Sequence, residues 1–364
     1  MKKTLLAALI GLAAINPANA ATIYNQDGTK VEIKGSVRML LQKVSQRRTD
    51  LKDADSELIF RVEQNIGNGF SALANTEIRF TKNGTIGDEV FTKYLYAGFK
   101  HDDIGTLTFG KQLTTGDDVG LSDYTYNLGG INKVLDASDK VIHFRSVDFY
   151  GFNVGADYVF GDATKKDSNN DETANTNGYV VGLFYNKKFG ELGFAVDAGF
   201  SRNKKSETGL KADEYYQDGF TIGSQLSYGS FAFAVDYAYR KAEGNNAVSW
   251  RTASADRGGK VINQTTEGFK FNRIREVEIG AKYQVTERSK VYADYIWGRA
   301  EQADGSVFAA INEPAKLNAY IAGIDYRFNQ YVVTYLEVGR FRYKFDGATY
   351  RKDDKYGIGM RVYF

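Results

Sequence analysis

The chain has 364 residues, with 47 Lys and Arg against 45 Asp and Glu and no cysteine. So even a balance argues against a nucleic-acid partner, and the missing thiols exclude a disulfide framework and any thiolate metal or nucleophile site. Proline occurs only twice, whereas Gly (38), Tyr (25) and Phe (24) are abundant, the composition of many long strands with aromatic girdles.

The first twenty residues read as a cleaved secretory signal. Lys2 and Lys3 precede an apolar run over 5–15, too short to span a bilayer, and Ala18-Asn19-Ala20 offers small residues at the expected cleavage site. Without this segment the balance is 45 basic residues against 45 acidic ones. No second apolar run is long enough for a transmembrane helix, which leaves open a β-barrel, where only alternate residues meet lipid.

Residues 30–43 place Val31, Ile33, Val37, Met39 and Leu41 on one face and Glu32, Lys34, Ser36 and Arg38 on the other. This period of two predicts a strand with unlike faces. A polar connection over 45–55 follows, then strands over 57–66 and 70–81 joined by Gly67-Asn68-Gly69. Further strands are expected over 90–100 and 105–111. The rhythm then stops over 112–140. It resumes at 141–146, 151–160, 178–187, 192–201, 219–228, 231–241, 271–285, 290–301, 316–328 and 331–345. The final strand puts Tyr356, Ile358, Met360, Val362 and Phe364 on one face, with Gly357, Gly359, Arg361 and Tyr363 on the other. Roughly sixteen strands result, an even number that places both termini on one side of a closed barrel. An unpaired terminal strand would be an aggregation hazard, and pairing last with first removes it. Short connections (67–69, 101–103, 147–150, 188–191, 229–230, 286–289, 329–330) alternate with long ones, as periplasmic turns alternate with external loops.

Charge assigns the faces. An Arg at mid-bilayer on the lipid side costs about 2–4 kcal/mol, and Arg38, Arg79, Arg240 and Arg361 all oppose the apolar set. The polar faces therefore line the lumen, and sixteen strands leave an aqueous channel where eight would fill with side chains.

Several stretches resemble the general diffusion porins of Gram-negative bacteria. They are the start at 21–35, Phe91-Thr-Lys-Tyr-Leu-Tyr-Ala-Gly-Phe99, Leu107-Thr-Phe-Gly-Lys111, Leu128-Gly-Gly130 and Arg361-Val-Tyr-Phe364. Thr76-Glu-Ile-Arg-Phe80 and Val333-Thr-Tyr-Leu-Glu337 are similar to the major porins of the Pasteurellaceae branch. The resemblance covers the whole chain after residue 20. It implies a homotrimer of 16-stranded transmembrane antiparallel β-barrels in the outer membrane, each with its third external loop, 112–140, folded into the lumen as a constriction. It also implies lipopolysaccharide and outer-membrane lipid around the trimer, and barrel-assembly machinery reading the terminal strand (Tyr356, Ile358, Met360, Val362, Phe364).

In that family, acidic residues on the inner loop face a basic cluster on the wall. Here Asp123 keeps one acidic position, while Asn127 and Ile131 replace two others. Tyr126-Asn127-Leu128 stands before the glycine pair Gly129 and Gly130. On the wall Lys93 keeps one basic position, Ser36 and Glu57 occupy two more, and the fourth has no clear match near Ala137. The residues themselves nominate Lys34, Arg38, Arg61, Arg79, Lys93 and Arg145 for the wall, with Glu57 and Glu77 among them, and Asp117, Asp118 and Asp123 for the loop. Charges ~10 Å apart across water interact by about 0.4 kcal/mol, so each residue tunes selectivity weakly.

The only histidines, His101 in a turn and His143 in a strand, lie in different parts of the predicted barrel. No zinc cluster, catalytic triad or cofactor is therefore expected, and no enzyme activity. Asp167-Ser-Asn-Asn-Asp171 has the alternating oxygens of a calcium loop but Glu172 where its turn glycine belongs, and reads as a solvated loop. The polar stretch 242–270, with Trp250, Arg251 and Arg257, reads as an external surface. The expected function is passive diffusion of ions and small hydrophilic solutes through a water-filled pore. Two alternatives stand beside it. A substrate-specific channel would need an aromatic path, of which Tyr124, Tyr126, Tyr335 and Phe341 are the only hint. A plugged barrel would serve as adhesin or anchor, against which stands the lack of a plug sequence before the first strand.

Overall fold

A computed structural model describes residues 21–81, 84–131, 133–244, 246–248, 250, 271–303, 314–345 and 348–364. The expected signal segment lies outside these residues, as do Arg251 and Arg257 of the 242–270 connection. The described strands form one closed antiparallel sheet. They are β1 Ala21–Gln26, β2 Thr29–Val44, β3 Asp50–Asp53, β4 Glu57–Gly67, β5 Phe70–Arg79, β6 Phe91–His101, β7 Gly105–Leu113, β8 Ala137–Ser146 and β9 Phe152–Val159. The second half comprises β10 Gly178–Phe189, β11 Leu192–Lys205, β12 Tyr215–Tyr228, β13 Phe231–Ala242, β14 Phe271–Thr286, β15 Ser289–Gln302, β16 Ala315–Arg327, β17 Val332–Phe345 and β18 Ala348–Tyr363.

Each strand pairs with its sequence neighbour, and β18 closes the ring on β2 through pairs such as Met360 with Met39 and Val362 with Val37. The barrel has 16 staves although 18 segments are strands. The two extra segments are extensions. β1 pairs with the first residues of β2, below the stretch that β18 occupies. β3 pairs with Met39–Gln42, and β4 takes over from Ser36 downward. Between β3 and β4 the chain bends at Asp55, whose φ of 76° is left-handed, and Asp53 Oδ1 accepts the Ser56 N–H at 2.7 Å. Sequence periodicity missed both short segments. β1 was nevertheless signalled by Asp27-Gly28, both at positive φ, the conformation of a tight hairpin, repeated at Asn68-Gly69.

The two faces divide as the alternation predicts. Phe60, Phe99, Leu183, Phe233 and Tyr320 are exposed on the outside, and Asp157, Asp197, Asp236, Glu278 and Glu337 are buried inside. In β18, Tyr356, Ile358 and Met360 are exposed and Val362 shares their alternate register, which the exposed Phe364 continues just past the strand. Phe364 exchanges backbone hydrogen bonds with Gly35, at 2.8 and 3.0 Å, at the seam. The interruption is shorter than expected, because β7 runs on to Leu113 and β8 starts at Ala137.

Candidate functional site: the inner segment and the charged wall

Residues 114–131 and 133–136 lie against the inward face of the barrel from β9 onward. Carboxylates on five strands, β9, β11, β13, β14 and β17, accept their backbone N–H groups. Asp157 on β9 takes Thr115 at 2.8 Å, and Asp197 on β11 takes Gly120 at 3.0 Å. Asp236 on β13 takes Leu121 (2.9 and 2.8 Å), Ser122 (3.0 Å) and the Ser122 hydroxyl (2.8 Å). Glu278 on β14 takes Gly130 at 2.7 Å, and Glu337 on β17 takes Tyr126. A carboxylate accepting from an amide is worth about 1.5–3 kcal/mol when buried, so this run holds an otherwise unpaired backbone firmly.

Glycines on the same face leave room for it. A Cβ on Gly155 would meet the Thr115 side chain at 2.3 Å, one on Gly199 the Val119 side chain at 2.7 Å, and one on Gly280 the Ser122 carbonyl at 1.9 Å. The inner wall is thus a groove of glycines and carboxylates shaped to a peptide. Sequence reading missed it. The available signal was the coincidence of Gly and Asp or Glu at inward positions of β9 to β17, opposite a stretch that lacks a strand pattern of its own.

Aromatic contacts fasten the far end. The Tyr126 ring stacks on Tyr335 with centroids 4.4 Å apart, and its hydroxyl donates to Asp325 at 2.5 Å. Burial first, and the Asp325 carboxylate second, raise the Tyr126 hydroxyl above its ordinary pKa, keeping the donor proton in place. Arg361 donates to the Tyr126 carbonyl at 2.6 Å, and Lys290 to that of Tyr124 at 3.2 Å. Tyr335 and Phe341 therefore lie beneath other side chains, both nearly fully buried. They do not form an aromatic path along the lumen.

Two charge-lined cavities lie on the opposite side, chiefly against β2 to β8 and the end of β18. A cavity of about 640 Å³ is lined by Lys34, Arg38, Glu57, Arg61, Glu77 and Arg79, together with Asp118, His143 and Arg361. A second, of about 390 Å³, is lined by Arg38, Lys52, Asp123, Asn127, Gly129 and Arg361 among others. Arg38 and Arg361 border both.

The wall charges are paired more with each other than across the lumen. Arg38 bonds Glu57, and Arg79 bonds Glu57 at 2.8 Å and Glu77 at 2.6 Å. Arg61 reaches Asn75 at 3.4 Å. Across the gap, Arg145 on β8 meets Asp118 at 3.1 Å and stacks on Phe184. Lys93 sits at a register shift of β6 against β5 and acts electrostatically on Asp117. Asp117 is exposed at its surface, yet the protein packed around it pushes its carboxyl up to about 6 despite the opposing pull of Lys133. Asp123 turns back on its own segment, accepting the Thr125 N–H at 2.9 Å. Gly129 and Gly130 close around it, Gly130 at a φ of 95°.

The histidines stay apart. His101 packs on Phe70, and His143 bonds Asp157 at 2.6 Å. Asp167 is a turn carboxylate that accepts the N–H groups of Asn169 and Asp171. Among the described residues no group of His, Asp and Glu is placed to hold a metal.

The sequence profile of the Gram-negative porins matches residues 5–346. The chain belongs to the Gram-negative porin family. The major outer membrane protein of Pasteurella multocida is 39% identical to it over 383 aligned positions, covering all of both chains. The solved structure of OmpT, an outer membrane protein of Vibrio cholerae, superposes with a TM-score of 0.67 at 18% identity, over 95% of this chain and all of that one. Its trimer form gives a TM-score of 0.64 at 18% identity, over 93% of this chain and all of that one. At such identities the structural likeness shows the fold. Family and fold together make this an outer-membrane β-barrel, and they point to a channel rather than an enzyme.

Proposed function

We propose that the barrel is a passive aqueous channel for ions and small hydrophilic solutes, with its narrowest charged section between Arg38, Arg361 and the inner segment. The observation that carries this reading is the pair of charge-lined cavities that share Arg38 and Arg361 inside a closed ring with an apolar exterior. Asp118 and Arg145 face each other across the space, while Glu57 and Glu77 offset Arg38 and Arg79. The field is therefore local and mixed in sign, favouring dipolar and hydrated solutes over apolar ones with modest ion preference.

The reading includes a cleaved signal segment, lipopolysaccharide contact and recognition of the terminal strand by barrel-assembly machinery, each of which family membership supports. Homotrimerisation is supported by the trimer form of the Vibrio cholerae neighbour. The test is a planar bilayer carrying purified protein under a salt gradient. Large ohmic openings that close in threes at high voltage are expected, with a small reversal potential. Small openings blocked by one class of solute would indicate a substrate-specific channel. No openings from folded protein would overturn the reading and favour an anchor.

A further inference from the structure

The inward face is not polar throughout. On β14 to β17 it carries Ile274, Ile296, Leu317, Ile321 and Phe341, all nearly fully buried. In an open water-filled barrel these side chains would face the channel. They are covered from two directions. Leu128 of the inner segment packs into the cluster, with Ile131 against its edge. The other cover comes from the connection after β13, where Val248 and Trp250 join the same cluster, both fully buried.

Trp250 is seated by several independent contacts. Its indole Nε1 donates to Glu276 on the inward face of β14 at 2.9 Å. Its ring meets Phe271 edge-on at 5.5 Å between centroids. Beneath it lies Gly298 of β15, where a Cβ would come within 2.7 Å of the indole. The approach to it is pinned as well. The Val248 N–H donates to the Phe271 carbonyl at 2.7 Å, and Gln217 on β12 donates to the Ala247 carbonyl at 2.7 Å. A glycine that fits the ring, an acceptor for its only polar atom and a backbone bridge beside it describe a built seat.

We propose that Val248 and Trp250 form a second constricting element of the channel, distinct from the inner segment. It covers the apolar inward patch of β14 to β17 beside the inner segment and so narrows the aqueous path toward the charged wall of β2 to β8. This inference rests on the channel reading above. It makes Trp250 a determinant of solute size and leaves ion preference to the charged wall, from which its contacts are separate.

The experiment compares unitary conductance, and liposome uptake of a graded series of neutral sugars, for wild type, Trp250→Ala and Gly298→Ala. Gly298→Ala keeps the indole but displaces it, and so tests the seat if Trp250→Ala fails to fold. Either variant is expected to raise conductance, on the order of 1.5-fold as the cover over the apolar patch thins, and to admit larger sugars. The cation-to-anion permeability ratio is expected to stay unchanged. Wild-type conductance and sugar cut-off in both folded variants would overturn the inference while leaving the channel intact. A changed ion ratio with an unchanged cut-off would also overturn it. A wild type that passes neither ions nor sugars would overturn the channel reading and this inference together.

Discussion

Gly280→Ala tests whether the glycine and carboxylate groove holds the inner segment. The added Cβ would lie 1.9 Å from the Ser122 carbonyl oxygen, a backbone atom with no rotamer to relieve the clash. The segment must retreat until that distance passes 3.0 Å, a shift of about 1 Å in a close-packed site. Asp236 holds the Leu121 and Ser122 N–H groups and the Ser122 hydroxyl at 2.8–3.0 Å from the neighbouring strand. A 1 Å displacement stretches at least two of these beyond useful range, and two charge-assisted bonds at about 1.5–3 kcal/mol each amount to roughly 3–6 kcal/mol of docking energy. The barrel itself is expected to survive, because the ladder bonds of β14 do not involve the Gly280 hydrogen. The assay is limited proteolysis of folded protein in detergent, with cleavage within 114–136 as readout and heat-modifiable mobility as the fold control. Single-channel noise gives a second readout. Gly357→Ala is the matched control, since its Cβ would press only on the movable Leu40 side chain, at 3.0 Å, with the Leu41 carbonyl at an ordinary 4.0 Å. Equal protease resistance and equal noise in Gly280→Ala and Gly357→Ala would refute the reasoning.

Three further expectations follow from the same geometry. Asp117, exposed at its surface, has its carboxyl raised from 3.8 to about 6 by the protein packed around it, so its ionised form is disfavoured in the folded state and its contribution to docking improves as pH falls from above 6 toward 4. Acidification through this window should also shift the reversal potential toward anions, and Asp117→Asn should remove that step; an unaltered titration would refute it. Glu57→Gln leaves Arg38 and Arg79 without their shared carboxylate, and a single wall charge worth about 0.4 kcal/mol should move the permeability ratio roughly twofold toward anions; a shift toward cations would contradict the pairing described here. Deleting Phe364 removes its two backbone bonds to Gly35 at the ring seam, and the yield of folded, heat-modifiable barrel should drop; an unchanged yield would count against any closing or assembly role of that residue.

The sequence by itself determined the strands, their order and their two faces, because a half-lipid, half-water environment imposes a period of two that long strands cannot avoid. Every long strand was legible, down to the alternate register of Tyr356, Ile358, Met360 and Phe364. The segment without a pattern was recognisable as well, by the failure of its alternation, and Lys34, Arg38, Arg61 and Arg79, nominated for the wall, line one cavity. How that segment is held inside the ring was not legible. Inward glycines and carboxylates read as bends and solvated charges until the strands are closed around the inner segment, when Asp236 and Gly280 become its anchor and its clearance. Trp250 read as part of an external surface, and only the ring brings it over Gly298 and Glu276, on strands 26 and more residues away. Local periodicity reports the medium on each side of a strand. It carries no information on which distant segment replaces water on the inner side, and that is decided by pairings that exist only once the barrel is shut.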